Sequence, residues 1–199
     1  MNIFKKLGER LFASALAAAT ILTPVTMIER LELKGWFDAI CYAPDGSIKW
    51  QARAPNLVVT VGKNLALDTY LAGSSYTVTG PYMGLVSSVS FTAYNAADTM
   101  ASHAGWTEAG GTNAPTYSGT RKTVAWSSAS AGSKTTSAAL SFAITSAGTV
   151  KGCFIVYGSA AVNTIDSTLG TLYSAGNFTG GDKIVANLDT LAVTYTASL

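Results

Sequence analysis

Beyond Ala54 the chain is built almost entirely from small and β-branched residues. Ser, Thr, Ala, Gly and Val dominate, aromatic residues punctuate them, and charges are sparse. Such a stretch lacks the unbranched and charged residues that sustain long helices, and it suits many short strands joined by small-residue turns. The 199 residues are enough for one domain plus an appendage, and a chain of this size buries roughly 70% of its unfolded surface. The predicted class is mainly β: an antiparallel β-sandwich, jelly-roll or immunoglobulin-like, with about seven to nine strands. One short helix and an N-terminal arm complete it.

Charge narrows the partners. Only 12% of residues are charged and the net charge is +2, so the clustered basic stripe of a nucleic-acid binder is missing. The 48% hydrophobic content argues against disorder. Half of the charged side chains fall between Lys5 and Arg53, and the expected organisation is an N-terminal arm, residues 1–33, followed by a β domain over 34–199.

The arm has the composition of an export leader. Lys5, Lys6 and Arg10 precede an apolar stretch from Leu11 to Leu22. That stretch is too short to span a bilayer, which takes about 20 apolar residues, so no membrane is expected as partner. Ile3 to Ile21 reads as an amphipathic helix ended by Pro24, with a strand-like or extended Val25–Leu33 after it. Phe4, Leu7, Leu11, Phe12 and Leu16 form its expected partner-binding face.

The body opens at Lys34. KGWFDAICYA and SIKWQAR flank Pro44-Asp45-Gly46, a hairpin signal, and Trp36 and Trp50 are expected to pair across it. NLVVTV (Asn56–Val61) reads as a strand. KNLALDTYLAG follows as a short helix on Leu65, Leu67, Tyr70 and Leu71, ended by Gly73. Further strands are expected in PYMGLVSS, KTVAWSS, AALSFAIT, VKGCFIVYG, GTLYSAGNF and LAVTYTA. Asn95–Tyr117 reads as a long polar loop and Ser127–Ser137 as a hairpin tip.

Chemistry has little to build on. His103, with Ser102 beside it and Asp98 five residues back, supplies triad residue types. Neighbours along one loop rarely converge as a triad must, and no GxSxG elbow exists. One His and two distant cysteines, Cys41 and Cys153, do not make a zinc site; no metal or cofactor is expected. Both cysteines sit in apolar runs and read as buried thiols rather than a disulfide. Asp182 and Asp189 read as turn residues, with calcium ligation the alternative, and Gly180-Gly181-Asp182-Lys183 as a strand–turn–strand link. The four tryptophans and nine tyrosines suit core packing, with a sugar-binding face as the alternative. Trp36, Trp50 and Trp106 are the candidate interface aromatics.

From Gly35 to Ser198 the body resembles small virion structural proteins of tailed bacteriophages. The likeness runs through YAPDGSIKWQARAPNLVVTVGKNLALD, YMGLV, AADTMASHAGWTEA, RKTVAW, VKGCFIVYG and LGTLYSAGNFTGGDKIVANLDTLAVTYT, with ADTMASHAGWTE and LYSAGNFTGGDK the most specific. The resemblance implies a non-enzymatic component of the virion, encoded near the major capsid protein and assembled in the host cytoplasm, with the head surface as the leading location. Its partners would be the major capsid protein or further copies of this chain in a homo-oligomer. A decoration or cement role leads. A neck, tail or head-fibre component and a carbohydrate-binding surface adhesin are the alternatives.

Overall fold

A computed structural model describes residues 32–71 and 79–199. The arm residues Phe4, Leu7, Leu11, Phe12 and Leu16, and the helix stop at Gly73, lie outside the described residues. Eleven strands and one helix are formed among the described residues. Every strand pairing is antiparallel.

The first sheet grows from β1 (Lys34–Tyr42), whose side chains alternate between buried and half-buried. This is the period-two pattern of a strand with one face on a core. Phe37, Ala39 and Cys41 point inward; Trp36, Asp38 and Ile40 occupy the other face. The Pro44-Asp45-Gly46 turn forms as expected. Asp45 Oδ1 accepts from the Ser47 amide and hydroxyl, and Gly46 takes a φ of 83° that an L side chain resists. It returns the chain as β2 (Ile48–Pro55), the outer edge of this sheet, with Ile48, Lys49, Gln51 and Arg53 exposed. On its other side β1 pairs along its whole length with β11 (Thr190–Ser198). The two short strands β6 (Ser133–Thr135) and β7 (Leu140–Ala143) pair with opposite ends of β11.

The second sheet has the order β3-β9-β8-β4-β5. Its members are β3 (Leu57–Val58), β9 (Thr171–Asn177), β8 (Gly148–Tyr157), β4 (Tyr82–Ser87) and β5 (Lys122–Thr123), and β10 (Lys183–Val185) pairs with β8. Inner side chains of both sheets meet in one core. Phe37, Leu191, Val193 and Tyr195 come from the first sheet, and Met83, Leu85, Cys153 and Ile155 from the second.

The second sheet is buried on both faces, which explains the nearly unbroken apolar run GCFIVY in β8. Its outer face carries Phe154, Val156, Leu172 and Val86, and Met100 and Trp106 close over them. Here the structure corrects the sequence. Asn95–Tyr117 is not simply a polar loop: it buries Met100, Trp106, Glu108, Ala109 and Tyr117.

Four further expectations are revised. Trp36 lies opposite Pro55 and Trp50 opposite Cys41, so the two indoles are not cross-strand partners. NLVVTV pairs only at Leu57 and Val58; the Thr60 amide then bonds the Ala96 carbonyl and the chain enters α1 (Thr60–Leu71). Of the helix residues expected to pack, Leu65 is buried, whereas Leu67, Tyr70 and Leu71 are exposed. The helix rests on β9 through a narrow strip, where a Cβ on Gly62 would lie 2.3 Å from the Tyr173 carbonyl oxygen. KTVAWSS pairs in the second sheet only at Lys122–Thr123, and Trp126 then bridges to Thr136.

The centre of the second sheet has no room for a side chain at position 152. A Cβ there would sit 1.7 Å from the Gly176 carbonyl oxygen, so Gly152→Ala must push β8 and β9 apart. The expected cost is about 1–3 kcal/mol, read by urea unfolding. A variant as stable as the parent would contradict the close approach.

Candidate functional site

His103 is a packing residue of the loop covering the second sheet. Its ring stacks on Trp106 with centroids 3.9 Å apart, and Nδ1 donates to the Trp106 carbonyl oxygen at 3.0 Å. Asp98 is committed elsewhere: Oδ2 accepts from Trp106 Nε1 at 3.0 Å and from the Asn95 amide at 2.9 Å. The Ser102 amide donates to Thr99 Oγ1. His103 and Asp98 are therefore both engaged in fixing Trp106, which is 1% exposed, while Ser102 bonds within the loop to Thr99. That burial removes Trp106 from any surface a partner can reach, and corrects its reading as an interface aromatic.

Below this loop lies a feature that the sequence reading missed. Glu108 and Arg121 form a buried bidentate pair, Nε to Oε1 at 2.9 Å and Nη2 to Oε2 at 2.7 Å. Arg121 also donates to the carbonyls of Val162 and Ser167, and the Asp166 amide donates to Glu108 Oε2. Burial pushes the Glu108 carboxyl up, against the opposing pull of the guanidinium and the amide. Nothing in their spacing pairs these two residues. The available signal was that each charge stands in an almost uncharged stretch.

Trp36 donates from Nε1 to Asp38 Oδ2 at 3.0 Å, and the Arg53 guanidinium lies 5.0 Å from its ring. Arg53 and Asp38 form a bidentate pair of their own. Trp50 spans from the edge of the first sheet to β10, donating to the Ile184 carbonyl at 2.8 Å with Phe178 5.8 Å away. Beside this contact stand aliphatic side chains that the fold leaves uncovered: Ile48, Ile184 and Leu188 are 52%, 70% and 67% exposed. Both Ile48 and Leu188 flank the Lys49–Asp189 ion pair, which ties β2 to the turn before β11.

Asp189 anchors that turn. Its carboxylate is buried and accepts from Lys49 Nζ, from the Ala186 amide at 2.7 Å and from the Cys41 thiol at 3.7 Å. Burial raises its pKa, but the Lys49 ammonium and the hydrogen bonds outweigh burial and hold it below the usual range. Cys41 moves the other way, up to about 12, through burial and the adjacent carboxylate. Both cysteines are buried and free, as expected of core thiols. Asp182 pairs with Lys151, and the Gly180–Lys183 segment links β9 to β10 as a turn. Among the described residues no cluster of three metal-ligating side chains occurs, and no helix is long and apolar enough to cross a membrane.

No protein-family model, curated protein or solved structure matches the chain.

Because the folded pKa of Asp189 lies below its unfolded value near 3.9, its contribution is fully present above that pH and is lost as acid titrates the folded carboxylate. Asp189→Asn is expected to cost about 1.5–3 kcal/mol at neutral pH. The gap from the parent should shrink steadily below about pH 4; urea midpoints across that range measure it, and a pH-independent gap would refute it.

Proposed function

We propose that this chain is a non-enzymatic structural protein of a tailed-bacteriophage virion, and that it decorates and ties down the head shell. In this reading the two sheets stack as a β-sandwich of immunoglobulin-like or jelly-roll type. Residues 1–33 serve as an arm to a neighbouring copy or to the major capsid protein. The observation that carries the reading is that Ile48, Ile184 and Leu188 stay exposed, Ile48 and Leu188 next in sequence to the paired Lys49 and Asp189. Fully covering an aliphatic side chain contributes about 1.5–3 kcal/mol before ordering costs. Repeated over a lattice of copies, such contacts would resist outward pressure from a packaged genome.

Two further observations support it. ADTMASHAGWTE and LYSAGNFTGGDK, the segments most like the phage proteins, supply the Trp106 lock and strand β9 with its turn. Both segments build the fold: the first fixes Trp106 and the second supplies β9 and its turn. Ten of the 18 described charged residues form ion pairs within the chain, among them Arg53–Asp38, Arg121–Glu108, Lys49–Asp189 and Lys151–Asp182.

Ile184→Lys with Leu188→Lys should abolish retention on purified capsids while leaving the fold intact, and deletion of residues 1–22 should do the same through the arm. Copy number per particle, from an averaged map or quantitative mass spectrometry, separates the roles. Occupancy across the head lattice fits decoration, whereas a single ring or fibre's worth would move the protein to the neck or tail. Unchanged retention of both variants would sink the proposal.

A further inference from the structure

At the side of the domain where α1 approaches the strands lies a groove of about 520 Å³, within the usual range for small-ligand sites. Its floor is tyrosine. Tyr195 is fully buried, its hydroxyl accepts from Asn56 Nδ2 at 2.7 Å, and Tyr173 is nearly buried beside it. Tyr157 stands 5.1 Å from Tyr173, ring to ring, and Trp126 meets Tyr195 edge-on at 6.0 Å. Tyr70 of α1 projects at the lip, 85% exposed.

The lining is selective in what it omits. Among the described residues that line it there is no Leu, Ile, Val, Met or Phe; apart from Ala and Pro, their apolar surface belongs to aromatic rings with a polar tip. A lipid tail or an aliphatic peptide anchor would find few hydrocarbon partners here. A pyranose ring is the better match, because its C–H face stacks on aromatic planes while its hydroxyls reach phenols and indole N–H groups. Among the described lining residues there is one cation, Lys134, and no carboxylate. Lys134 makes no ion pair among the described residues. An ammonium at the edge of an otherwise neutral aromatic groove favours a ligand with a negative charge.

We infer that this groove is a binding site for a saccharide bearing a carboxylate, with the sugar ring on the Trp126–Tyr157–Tyr70 surface and the carboxylate on Lys134. The two buried phenols of the floor stay neutral, since burial raises their pKa values. The inference goes beyond the virion reading and does not rest on it. A decorating protein can carry such a site outward, and the site would stand equally in any other setting.

The test is calorimetric titration of the full chain with galacturonate and glucuronate trimers and sialyllactose. The neutral counterparts are galactose and glucose trimers and lactose, and a proline-rich peptide serves as the competing ligand for aromatic grooves. Lys134→Ala and Tyr70→Ala alter exposed side chains, and circular dichroism checks that both variants keep the fold. At least one acidic sugar should bind roughly tenfold more tightly than its neutral counterpart. Lys134→Ala should erase that preference, and Tyr70→Ala should weaken acidic and neutral ligands together. Failure of all the acidic sugars to bind at millimolar concentration would overturn the proposal. So would equal binding of neutral sugars, preference for the peptide, or indifference to both substitutions. None of these outcomes alters the copy number per particle, so the two proposals fail separately.

Discussion

The Glu108–Arg121 pair is the interaction on which the outer layer depends. Four stretches of irregular chain converge on it: the loop bearing Glu108, the approach to β5 bearing Arg121, and the Val162 and Asp166–Ser167 backbone. A buried ion pair adds little stability over a well-packed apolar substitute, yet removing one partner typically costs about 3–5 kcal/mol. The pair therefore acts as a condition rather than a reserve. With both charges and their hydrogen bonds in place, the loop carrying Met100 and Trp106 can lie against the second sheet. Without one of them, a charge is stranded under that loop.

Much of the first sheet was legible because its residues obey local rules. KGWFDAICY alternates cleanly, and Pro44-Asp45-Gly46 contains a residue that tolerates positive φ where the turn demands one. The second sheet was harder to read in detail, since a strand covered on both faces loses its alternation. VKGCFIVYG announces a strand but not what lies above it. The cover was hidden further, because Met100, Trp106 and Glu108 are spaced by turns and single bridges rather than by any regular period. The helix misled in the opposite direction: Leu67, Tyr70 and Leu71 have packing spacing, but only Gly62 and Leu65 reach the sheet.

The candidate sites show the same division. His103, Asp98 and Ser102 stood out because their residue types are chemically suggestive, and the fold uses them as fasteners. The aromatic groove draws Tyr70, Trp126, Tyr157, Tyr173 and Tyr195 from three strands, a loop and a helix. Residues so far apart in sequence share no motif, and only the pairing of β11 with β6 and the seating of α1 on β9 bring them together.

The exposed edge at β2 has a consequence for crowding. An uncapped strand is a template for another chain's backbone, and many copies held close together would be at risk of zipping into continuous sheets. Here the outermost strand carries Lys49, Gln51 and Arg53 and ends in Pro55, which has no amide proton to offer. Trp50 fastens that rim to β10, limiting how far it can peel away. Copies of this chain brought close together can thus remain separate folding units.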